Sequence, residues 1–156
     1  MRIKKAQATR MLVMVMTVVI VGLVLVFGYR AITSITVSGE KATLIKFKNE
    51  FINAVDQGSS YGRVAIQDFS VGGEYKRMCL AGIGASPGAF TNALVKDALA
   101  SGTSNNAFLL TDSTIEPFEV KKMEIEGGGQ CFSIDSGKVK LRFEGKGDRT
   151  KISLAT

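Results

Sequence analysis

The chain has no histidine and no tryptophan, and only two cysteines and two prolines among its 156 residues. Without histidine, the usual general base of serine and cysteine hydrolases and the commonest metal ligand are both missing. Two thiols alone do not complete the ligand set of a structural zinc site. So few prolines and cysteines also exclude collagen-like and knottin-like scaffolds. No N-x-S/T sequon occurs, so N-glycosylation is not expected. A local absence is more informative: Met11 to Tyr29, MLVMVMTVVIVGLVLVFGY, is nineteen consecutive positions without a charge.

What is present is distributed unevenly. The formal net charge is +6 and the mean hydropathy +0.18, high for a chain that is 22% charged. Arg2, Lys4, Lys5 and Arg10 precede the apolar run and Arg30 closes it. Residues 31–156 then hold fifteen basic against fourteen acidic side chains, a net of +1. The basic balance therefore belongs to a short tail, and no nucleic-acid partner is expected, because such a face needs Lys and Arg clustered within the folded part.

Nineteen residues rising 1.5 Å each make about 28 Å of helix, close to the ~30 Å hydrocarbon thickness of a bilayer. The Val and Ile content would suit a strand in water. In lipid, however, only a helix satisfies its own backbone, so the segment reads as a transmembrane helix with the bilayer as its partner. Tyr29 and Arg30 suit the interface. Four basic residues before the span and one after it put the N-terminus in the cytoplasm and the following chain outside. Two alternatives remain open: a secretory signal cleaved near Val26 and Gly28, and a buried helix of a soluble domain. The organisation expected is a basic tail at 1–10, a span at 11–29, a linker or helix continuation at 30–39, and an extracytoplasmic domain at 40–156.

Within that domain, Leu44, Ile45, Phe47, Phe51, Ile52 and Val55 recur at helical spacing, predicting a helix over Glu40–Asp56 with Ser38 as N-cap and Gly58 as terminator. A second helix is expected between Ser86, as cap, and Gly102, with Pro87 in its first turn and Phe90, Leu94, Ala98 and Leu99 on its buried face. Strands are predicted at Tyr61–Phe69, Tyr75–Ile83, Ala107–Thr111, Pro117–Glu126, Gln130–Ile134, Lys138–Glu144 and Arg149–Leu154. Gly127–Gly129 and Gly145–Asp148 read as hairpin connections. The fold class is therefore α+β: an N-terminal transmembrane helix followed by a small, mainly antiparallel β domain with two helices.

Three constellations invite a chemical reading. Gly84-Ala85-Ser86-Pro87-Gly88 matches the nucleophile elbow G-x-S-x-G, yet no histidine can serve Ser86 and Pro87 has no N–H for an oxyanion hole. Gly82-Ile83-Gly84 with Gly88 approaches a dinucleotide loop, with Asp112 where a ribose-binding acid would stand, but the spacing is G-x-G-x-x-x-G. Cys79 and Cys131 stand alone in separate strands. Outside the cytosol they pair as a disulfide, the alternative being two buried free thiols. Asp112, Glu116 and Glu119 match no EF-hand loop and read as solvated strand faces, and Phe47, Phe51 and Phe90 read as core. No catalytic, cofactor-binding or metal residue is assigned, and no cofactor is expected.

At Lys4-Lys5-Ala6-Gln7, followed by the apolar helix, the N-terminus resembles the class III signals of archaeal type IV pilins and archaellins. That resemblance implies cleavage between Ala6 and Gln7, and a helix that self-assembles in a filament core. The segments Phe47–Phe51, Ser60–Val64 and Lys140–Asp148 resemble those of uncharacterised single-pass membrane proteins of archaea, which implies no activity and no site residues. The functional expectation is a non-enzymatic, membrane-anchored structural or interaction protein. The alternatives are a pilin-like filament subunit and an enzyme using the Gly82–Gly88 turn.

Overall fold

The structure, a computed structural model, describes residues 3–155, without the side chains of 3–10 and 31–38. The first element, α1, is a single helix Ile3–Gly58. The choice between linker and helix at 30–39 thus falls to helix, and Ser38 is an interior position rather than an N-cap. Gly39 is accommodated inside at a cost of ~1 kcal/mol relative to alanine. The chain divides into two compact units, Met1–Lys41 and Ala42–Thr156.

In the second unit, α1 ends at Gly58 and side chains satisfy its last carbonyls, which lack helical donors. The Thr150 hydroxyl donates to the Val55 carbonyl at 2.6 Å, the Ser59 hydroxyl to Asp56 at 2.7 Å, and the Arg63 guanidinium to Gln57 at 3.2 Å. Eight strands follow: β1 Val64–Ser70, β2 Arg77–Ala81, β3 Ala107–Leu110, β4 Ile115–Phe118, β5 Met123–Ile125, β6 Gly129–Ser133, β7 Lys138–Gly145 and β8 Thr150–Leu154. They form two four-stranded sheets, ordered β1-β7-β8-β5 and β4-β3-β2-β6. All pairs are antiparallel except β5 with β8. The chain is α+β and mainly antiparallel, as its patterning predicts.

The main core lies among the two sheets and the last turns of α1. Phe47, Phe51, Phe69, Phe118 and Phe143 interlock there, with ring centroids 5.7 to 6.1 Å apart. Each such buried ring contributes roughly 1.5–3 kcal/mol through area removed from water. On β7, Val139, Leu141 and Phe143 are buried while Lys138, Lys140 and Arg142 are exposed, the alternation of a sheet with one wet face. The second sheet is covered on both sides. Met78 and Leu80 of β2 enter the main core, whereas Cys79 and Ala81 join Phe90, Val95, Phe108 and Leu110 in a second cluster capped by α2, Ala93–Ala100.

Three local expectations need correction. Ser86 does not cap a long helix: it precedes a three-residue 3-10 turn, Pro87–Ala89, and its side chain makes no capping bond. The helical cap is Asn92, whose Oδ1 accepts from Leu94 N–H at 2.9 Å and Val95 N–H at 3.3 Å. Pro117–Glu126 is two strands in different sheets, because Lys122 adopts φ +58° and turns the chain from β4's sheet to β5's. Gly127–Gly129 likewise crosses between sheets rather than closing a hairpin. The expected hairpin at Gly145–Asp148 does join β7 to β8. Gly145 has a steric reason: a Cβ there would collide with the carbonyl oxygens of Ser60 and Gly58.

Candidate functional site

The first unit presents an apolar surface. Met11–Arg30 has a mean hydropathy of 2.9 and no residue buried. Its large side chains are exposed on every side, from Met11 at 74% to Leu23 at 52%. The hydroxyl within its middle is turned inward, since Thr17 Oγ1 donates back to Val13 and Met14 carbonyls at 3.0 and 2.8 Å. Twenty residues make about 30 Å of helix, long and apolar enough to cross a membrane. Ala6 and Gln7, the expected cleavage pair, have side chains outside the described residues.

In the second unit the chemical candidates are dispersed. Ser86 is exposed, and among the described residues its hydroxyl has no hydrogen-bond partner. Among the described residues no lysine is hydrogen-bonded to it. The dinucleotide reading meets a topological obstacle: β2 and β3 are antiparallel, with Arg77 opposite Leu110 and Leu80 opposite Ala107. Gly82 to Gly88 follows one end of β2, while Asp112 stands beyond the other end, about a strand's length away. A nucleotide fold needs both at the same end.

The carboxylates do not converge either. Glu116 pairs with Lys48 at 2.7 Å, and that ammonium also sits 5.5 Å from the Phe118 ring centroid, tying β4 to α1. Asp112 and Glu119 are exposed. Among the described residues no three His, Cys, Asp or Glu side chains cluster to hold a metal. Cys79 and Cys131 come together as the sequence predicts: they lie directly opposite on β2 and β6 and are disulfide-bonded. Cys79 is buried and Cys131 is exposed.

Charge concentrates at the β7–β8 hairpin. Lys146 Nζ lies 2.7 Å from Glu144 Oε1, and Arg149 Nη2 lies 2.9 Å from Asp148 Oδ2. The hydrogen bond from Lys146 holds the Glu144 carboxyl below its ordinary value and Glu144 raises Lys146 in turn. Arg149 does the same to Asp148. These groups are solvated, and screening limits what such pairs contribute.

Residue-by-residue reading misses one cleft, of ≈ 410 Å³, between α1 and β1. Glu50, Asn53, Ala54 and Gln57 line one side, and Gln67, Asp68 and Phe69 the other. The helical residues are spaced i, i+3, i+4, i+7 and so share a face, which a sequence reading assigns to solvent. Compared with protein-family models, curated proteins and solved structures, the chain matches none.

Proposed function

We propose that the chain is a non-catalytic surface subunit, held in the cell membrane by Met11–Arg30 with its β domain outside, and built to assemble through the same helix in the manner of a type IV pilin. The observation that carries this reading is the continuity of α1. Apolar over Met11–Tyr29, α1 continues as one helix past Gly39 into the segment that supplies Phe47 and Phe51 to the domain core. A tether needs no such continuity, because a flexible linker holds a domain at a bilayer equally well. A subunit packed by its helix does need it, since flexibility would uncouple the domain from its neighbours. The Lys4-Lys5-Ala6-Gln7 sequence and the one-sided basic flank support the same reading.

The second reading is a permanent single-pass anchor carrying an interaction domain. It is favoured by Arg10, a charge close to the start of the apolar segment and awkward to bury in a helical bundle. The mass of the mature chain purified from native membranes separates the two. Assembly predicts an N-terminus at Gln7, and an intact Met1–Ala6 segment overturns it. Membrane location is tested separately. Alkaline extraction is expected to leave the chain in the pellet, and a reporter fused after Thr156 to be accessible only from outside the cell. The opposite result in either assay defeats both readings.

A further inference from the structure

We propose that the open edge of β1, with the cleft beside it, is a docking site for an extended, basic segment of another protein, bound by strand addition. The inference is independent of whether the domain is anchored or assembled.

The phase of the ladder fixes which backbone groups are available. Gly145 N–H donates to the Arg63 carbonyl at 2.8 Å, and Val71 N–H to the Gly137 carbonyl at 2.8 Å. In an antiparallel pair the groups turned to the partner alternate with groups turned away. The odd-numbered residues of β1 therefore bond β7, while the N–H and C=O groups of Val64, Ile66, Asp68 and Ser70 point outward. Among the described residues none of these has a hydrogen-bond partner.

Proteins shield such edges, and three of the four here are shielded or short. β5 has three residues, β4 has four including Pro117, and β6 has five and is stapled to β2 through Cys131. β1 is the exception. It has seven residues with no proline, glycine or bulge in its register, and Val64 and Ile66 stand half exposed on it. Edges of this kind accept added strands, with backbone bonds giving affinity and the neighbouring surface giving selectivity.

That neighbouring surface is the cleft. A strand added at the usual spacing of about 4.8 Å lies between β1 and the face of α1 that carries Glu50, Asn53 and Gln57. Its floor is the buried pair Ala54 and Phe69. The lining contains the Glu50 carboxylate, three amides and no cation, and the second acid, Asp68, stands on the outer face of the same edge beside Lys140. Asp68 and Glu50 have only long, exposed ion pairs, with Lys140 at 4.0 Å and Lys46 at 3.8 Å, which an incoming cation can displace. Charge complementarity thus selects lysine or arginine in the occupant. It disfavours a second copy pairing β1 to β1, which would bring Asp68 and Glu50 against their own kind.

The test uses the full chain in detergent micelles and two eight-residue probes, one alternating lysine with threonine and one alternating glutamate with threonine. The basic peptide is expected to bind with strong salt dependence and to slow hydrogen exchange at the Ile66, Asp68 and Ser70 amides by at least tenfold. Ile66→Pro removes an outward N–H and no ladder bond, so it is expected to weaken binding at least tenfold while the Ala65, Gln67 and Phe69 amides stay protected. Asp68→Lys, which leaves the backbone intact, is expected to weaken it similarly and serves if the proline variant loses that protection. The proposal is overturned by any one of four results: no binding of the basic peptide, equal binding of the acidic one, full binding by both variants, or protection of the outward amides that grows with protein concentration in the absence of peptide. The last result would identify the occupant as a second copy.

Discussion

Replacing Thr150 by valine isolates a single hydrogen bond on which the end of α1 depends. Thr150 is the one polar side chain among the described residues that is fully buried, and its hydroxyl donates at 2.6 Å to the carbonyl of Val55. Val55 stands three residues before the helix end at Gly58, where a carbonyl has no helical donor. Valine keeps the shape and removes the donor, leaving that carbonyl buried and unpaired, a loss of about 1–3 kcal/mol. Serine keeps the hydroxyl and removes a methyl group packed beside Gly58, a loss of ~0.8 kcal/mol plus a small cavity term. The expected order of stability is therefore Thr, then Ser, then Val. Urea unfolding of the full chain in micelles measures it, followed by near-UV circular dichroism, which reports the packed aromatic cluster and not the apolar helix. If Thr150→Val proves as stable as Thr150→Ser at equal m-value, the hydroxyl is not what closes this helix.

Two further outcomes follow from the cross-link and from charge. Reducing Cys79–Cys131 releases a loop of 52 residues and is expected to lower stability by about 4 kcal/mol, with reductant entering at the exposed Cys131. An unchanged urea midpoint in a sample titrating two free thiols would contradict this. Glu144 and Asp148 have lowered folded-state pKa values, so their contribution is complete above the ordinary carboxylate range and is lost as pH falls through the lowered values. Lys146, raised, contributes below its ordinary value and loses that contribution as pH climbs through the raised one. Glu144→Gln is expected to flatten both the acid and the alkaline limbs of a stability–pH curve at low salt, and a curve identical to that of the parent chain would show that the pair is inert.

Much of the fold was legible where one physical rule acted alone. The alternation of Val139, Leu141 and Phe143 with Lys138, Lys140 and Arg142 marks β7 because one sheet face is dry and the other wet. Phe47, Phe51 and Val55 mark the buried face of α1 for the same reason at a helical period. The apolar run and the cysteine pair were equally plain. Legibility failed where one local signal competed with another. Ser38 can cap a helix, yet the helix continues through it. Ser86 can do the same, and Asn92 takes the role. The strand pattern from Pro117 to Glu126 hides the left-handed turn at Lys122. The cleft was invisible for a different reason: Asn53, Gln57, Gln67 and Asp68 look like ordinary wet positions until the register brings the two segments together.

The bond between Thr150 and Val55 joins positions 95 apart in the chain. During synthesis the ribosome delivers the Phe47–Val55 stretch some 95 residues before the strand that covers it, β8. Phe69 follows soon after, but Phe118 and Phe143, the other rings packed on Phe47 and Phe51, come much later, and contacts of such wide separation form slowly. The β domain therefore sets only after β8 is available, and anything that shields Phe47 and Phe51 in the interval acts on the yield of finished protein rather than on its final stability.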